Sequence, residues 1–145
     1  MQITVDYDDY VSILAYVRML GRRLAPVLEG DLPALLGHRA PSGMRRVADA
    51  AARGRLHAGF ARDMLPVIAD ACDRAIEDGV SVEGDWIEVG WSDGGADRAW
   101  HEWEALSETA REIVPIRREV RTIIELLERI EDLVVAQRDI ADLVN

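Results

Sequence analysis

Lysine is missing from this chain, so all seventeen basic residues are arginine, and the one asparagine is the last residue, Asn145. That bias fits a high-GC genome, and an acidic surface without lysine also suits high salt. A single cysteine, Cys72, excludes an internal disulfide, so the fold stands without one and a reducing compartment is its natural setting. No apolar run approaches the roughly eighteen residues that a membrane span needs. The first nine residues are acidic where a secretory leader is basic. The expected location is therefore cytoplasmic, with no membrane partner.

What is present is acid and oil. Twenty-seven acids against seventeen bases leave a charge of -10, and hydrophobic residues make up 49% of the chain. This places it outside the disordered class. Its 145 residues suit one domain with its own core. The expectation is a single helical domain over 1–145, mainly α: a four- or five-helix bundle with a small β-hairpin at residues 80–91 and a long C-terminal helix.

The pattern supports that outline segment by segment. Ile3, Val5 and Tyr7 alternate with polar residues as in a half-buried strand. From Asp8 and Asp9 the period becomes helical through Tyr10, Ile13, Leu14, Val17, Leu20 and Leu24, predicting a helix to about Ala25. Glycine and proline then punctuate residues 26–43, leaving room for one short helical turn around Leu35. Ser42 is placed to cap a helix carrying Met44, Val47, Ala48 and Ala51. A second stripe runs from Leu56 to Ile76 and stops at Gly79, with Pro66 predicted to kink it or to restart it from Asp63. Val80–Glu83 and Trp86–Val89 read as two strands around Gly84–Asp85, a sheet that the N-terminal strand could join.

After the loop Ser92–Gly95, Ala96, Trp100, Trp103, Ser107, Ala110 and Val114 fall on one helical face, and Pro115 divides this helix from the last or kinks a single long one. The last segment is the clearest. Ile116, Val120, Ile123, Leu127, Ile130, Val134 and Gln137 step by four and three, as coiled coils do, while Leu126, Leu133 and Ile140 widen the apolar face beyond a two-stranded seam. Such a helix wants several neighbours, from its own chain or from other copies. Gln137 is a polar residue in the row, of the kind that fixes register or oligomeric state.

Three constellations invite functional readings. Residues 18–62 hold nine arginines (18, 22, 23, 39, 45, 46, 53, 55 and 62) against Glu29, Asp31 and Asp49, a balance of +6, whereas residues 63–145 hold eight arginines against twenty-one acids, a balance of -13. Arg45, Arg46, Arg53, Arg55 and Arg62 suit phosphate or an acidic partner, with pairing to the chain's own acids as the plainer expectation. Whole-chain acidity disfavours nucleic acid as the partner. Trp86, Trp91, Trp100 and Trp103 form the second group, either a satellite core or a partner surface. On a helix, Asp97, His101, Glu104 and Glu108 would share a face, but further metal ligands are not evident.

His38 follows a glycine in a loop and His57 sits near the arginines; neither has a visible general-base partner. No phosphate loop, nucleophile elbow or paired-cysteine motif is present, so neither catalytic activity nor a metal or cofactor is expected. The sequence therefore points to a non-enzymatic protein-interaction module, an oligomeric assembly, adaptor or regulatory component. Trp86, Trp91, Trp100, Trp103, Arg45, Arg46, Arg53 and Arg55 are its expected partner contacts. Ile116, Val120, Ile123, Leu127, Ile130, Val134 and Gln137 are its expected self-association row. The alternative is an acidic nucleic-acid mimic that inhibits a basic protein.

Overall fold

The structure is a computed structural model that describes residues 7–144. It is mostly helical, with a two-stranded antiparallel hairpin and a long C-terminal helix. Helix α1 spans Tyr7–Pro26 and runs through a π-helical turn, Val27–Asp31, into the short α2, Leu32–Leu36. A 3-10 turn at Gly37–Arg39 precedes α3, Met44–Ala52, and α4, Gly59–Asp78. Strands β1 (Val80–Ser92) and β2 (Gly95–Leu106) come next, and then α5, Glu108–Val144. The alternating stretch from Gln2 to Asp6 lies outside the described residues. Tyr7, its last apolar member, begins α1.

The core is aliphatic and shared by all the helices. Val17, Leu20 and Leu24 of α1 meet Leu28, Leu32 and Leu36; Val47, Ala48 and Ala51 of α3; Leu65, Ile68 and Cys72 of α4; and Ile113, Val120, Ile123 and Leu127 of α5. No buried residue among those described is polar or charged, so this core avoids the desolvation cost of an unpaired polar group. Helices α4 and α5 run antiparallel and are tied along their outer faces. Asp73 accepts hydrogen bonds from the Arg117 and Arg121 guanidinium groups, and Arg62 pairs with Glu131 at 2.7 Å. The twenty residues of α4 are about 30 Å long against about 55 Å for the thirty-seven of α5, so the end of α5 continues past its neighbour.

Several expectations change. Ser42 does not cap α3: Gly43 occupies that position with φ 90°, and no side chain supplies a cap. Neither proline divides a helix, because Pro66 lies within a continuous α4 and Pro115 within a continuous α5. Both are exposed, so a carbonyl that has lost its helical donor still reaches water. Hairpin boundaries change most. Its strands are 80–92 and 95–106, Gly84 and Asp85 lie inside β1 opposite Glu102 and His101, and the turn is Asp93–Gly94. Asp-Gly is the stronger reversal signal, and Gly95 leaves it with φ 108°, a conformation that glycine adopts without strain. The segment expected to be helical from Ala96 to Leu106 is accordingly β2. Among the described residues the sheet has these two strands.

Candidate interaction surface

The hairpin leaves the helical body at a tight junction. The Ser107 amide donates to the Gly79 carbonyl at 2.8 Å, and the Ser107 hydroxyl accepts from the Ala110 amide at 3.1 Å, capping α5. Beyond that base, strands of twelve and thirteen residues reach about 40 Å, and among the described residues no helix packs along them. Pairing is regular from Val80 opposite Leu106 to Glu88 opposite Arg98, where a bulge adds one residue before Gly90 pairs with Asp97.

This register settles the tryptophans. Trp86 and Trp100 are direct cross-strand partners, with ring centroids 5.5 Å apart in an edge-on arrangement. The Trp100 indole also lies over Gly84, where a Cβ would come within 2.3 Å of the ring, and its Nε1 donates to Glu102 at 2.8 Å. The bulge keeps Trp91, opposite Ala96, on the face of Trp86 and Trp100, while Trp103 occupies the other face beside His101. All four stay wet: Trp86 is 59%, Trp91 78%, Trp100 51% and Trp103 41% exposed. Val82, Ile87 and Val89 are exposed with them. The satellite core does not form, because the strand that replaces the expected helix carries Trp100 and Trp103 away from the body.

The same change dissolves the acidic helix face. Asp97 and His101 share one face of β2, Glu104 points to the other, and Glu108 begins α5. Among the described residues no cluster of three or more histidine, cysteine or carboxylate groups comes together to hold a metal.

The heptad row divides in two. Val120, Ile123 and Leu127 are buried in the chain's own core, with Ile116 and Ile130 packed half-buried against it. Further along, Val134 is half-buried and Gln137 exposed, and Val135 and Leu143 are exposed apolar residues. The apolar surface that α5 leaves uncovered lies in its distal part.

The arginines also separate by environment. Arg62 pairs with Glu131, and Arg46 stacks over the Phe60 ring 4.0 Å from its centroid, while Arg45 is exposed. Arg53 and Arg55, in the turn between α3 and α4, line a cleft of about 440 Å³ together with Arg18 and Arg22 of α1, His57, Ala58 and Gly59. Arg18 and Arg22 belong to the basic stretch of the sequence, yet that stretch alone does not bring them to Arg53 and Arg55. Their i, i+4 spacing, one turn apart on a helix face, was the available signal. Gly54 brings the two groups together: a Cβ there would lie 3.2 Å from both the Arg18 Cγ and the Arg22 Nη2.

Cys72 is fully buried. Burial, reinforced by the neighbouring Asp73 charge, pushes its thiol up to about 11. It packs as a small apolar group. No protein-family profile matches the chain, and comparisons with curated proteins and with solved structures find no relative for it.

Proposed function

We propose that this protein is a non-enzymatic, self-associating interaction module of the cytoplasm, a helical bundle that displays the hairpin and the distal part of α5 to further copies of itself. The observation that carries this reading is the bare hairpin with its four wet tryptophans. A two-stranded sheet alone in water is marginal, and both its edges leave backbone donors and acceptors free to pair with another strand. The four indoles together expose on the order of 500 Å². Covering them is worth roughly 12 kcal/mol before the costs of association are subtracted, enough to drive a specific contact. Exposed Val135 and Leu143 at the far end of α5 extend the apolar surface.

The acidic-mimic alternative has less support, since Asp70, Asp73, Asp78, Glu119 and Glu131 already face the chain's own arginines. Light scattering on the full chain tests the proposal. The wild-type mass should correspond to a defined number of chains greater than one, and Trp86→Ser combined with Trp91→Ser should reduce it. A single-chain mass at every concentration would overturn self-association.

A further inference from the structure

The geometry points to a second site, on the side of the helical body formed by α1 and the turn before α4: a cleft for the phosphate chain of a small polyphosphate. Four guanidinium groups line it, from Arg18, Arg22, Arg53 and Arg55, and no carboxylate does. Arg23, Arg39, Arg62, Arg117 and Arg121 each have a carboxylate partner. Arg18, Arg22, Arg53 and Arg55 are among the twelve arginines without such a partner among the described residues, and they are the ones that meet in a single cleft. Like charges held on one concave surface without counter-ions repel one another, and a multivalent anion relieves that repulsion.

Two further features of the cleft favour an anion. Its wall includes Ala58 and Gly59, the start of α4, a twenty-residue helix with no side-chain cap and no acid in its first turn. The N-terminus of such a helix carries unpaired amides and a partial positive charge, and here it forms part of the wall. His57, half-buried in the wall, has a buried Nδ1 without a hydrogen-bond partner, one of two such side-chain atoms among the described residues, the other being the Arg121 Nε outside the cleft. Guanidinium forks match phosphate oxygens two at a time, and four of them exceed the need of a single phosphate. The volume of about 440 Å³ lies in the small-ligand range. No phenylalanine, tyrosine or tryptophan lines the cleft, and its charge lies in the four guanidinium groups, so the phosphate chain is the recognised element, whether it comes as free polyphosphate or as part of a nucleotide.

Titration calorimetry of the full chain with tripolyphosphate, and in parallel arms with ATP and with duplex DNA, tests this. The expected result is one saturable site per chain that weakens as salt is raised, with ATP within about tenfold of tripolyphosphate. Two double variants, Arg18→Gln with Arg22→Gln and Arg53→Gln with Arg55→Gln, should each weaken binding at least tenfold. Because the pairs sit on different elements, a folding defect in one leaves the other informative. Arg74→Gln, in a different cleft, should bind as wild type does. Absence of saturation at millimolar ligand, or binding indifferent to both pairs, would overturn the site. ATP binding far more tightly than tripolyphosphate would overturn recognition by phosphate alone, and preference for the duplex would replace it with a nucleic-acid surface.

Discussion

Replacing Trp100 by alanine should melt the hairpin and leave the helices standing. About half of the Trp100 surface is covered, by Gly84 on its own face and by Trp86 across the strand pair. Removing the ring uncovers on the order of 100 Å² of apolar contact, worth roughly 2.5 kcal/mol. The lost edge-on contact with Trp86 adds about 0.5–1.5 kcal/mol. An isolated strand pair has little stability to spare, so this loss exceeds what the hairpin holds. No helix packs on the strands beyond the Gly79–Ser107 junction, and the damage therefore stops there. Amide exchange followed residue by residue, on protein dilute enough to be single chains, is the assay. Amides from Val82 to Glu104 should lose at least tenfold in protection, while the unfolding free energy of the helical body changes by less than about 0.5 kcal/mol. Destabilisation of the helical core by about 2 kcal/mol or more, with the strands still protected, would show instead that the hairpin is part of the core.

Two other predictions concern the body. Ile123→Ala removes a fully buried side chain at the meeting of α5 with the other helices, and urea denaturation should show a loss of about 2–5 kcal/mol. Cys72 should resist thiol reagents at pH 8 in the folded chain and react on unfolding. Its thiol titrates near 11 when folded, against an ordinary value near 9. The unfolded state therefore releases the proton first as pH rises, and this contribution to stability is complete below about pH 9 and declines toward pH 11, by roughly 2 kcal/mol. Cys72→Ala should flatten that alkaline decline in a series of denaturant titrations.

The helices were legible because each buries one stripe against a shared core. Val17, Leu20 and Leu24, then Val47 and Ala51, then Ile68, Ala71 and Cys72 keep helical spacing in the sequence and lie buried in the structure. The hairpin was legible only in part. Trp100 and Trp103 fit a helical period by coincidence, and a strand exposed on both faces lacks the alternation of oil and polar residues that a half-buried strand shows. Asp93–Gly94 was the better guide, since a two-residue Asp-Gly reversal needs strands on both sides. The α5 row reveals its apolar width but not where burial ends, because that depends on how far α4 reaches beside it. The arginine cleft was hidden for a different reason: Arg18 and Arg22 join Arg53 and Arg55 only through the packing of α1 against α3.

The tryptophans themselves give the most direct test of self-association through the hairpin. Emission and mass should be measured on the same samples across a dilution series. Samples whose mass exceeds one chain should emit at the shorter wavelengths of buried indole, and dilution to single chains should shift emission toward that of indole in water. Assembled protein whose tryptophans still emit as though wet would contradict it.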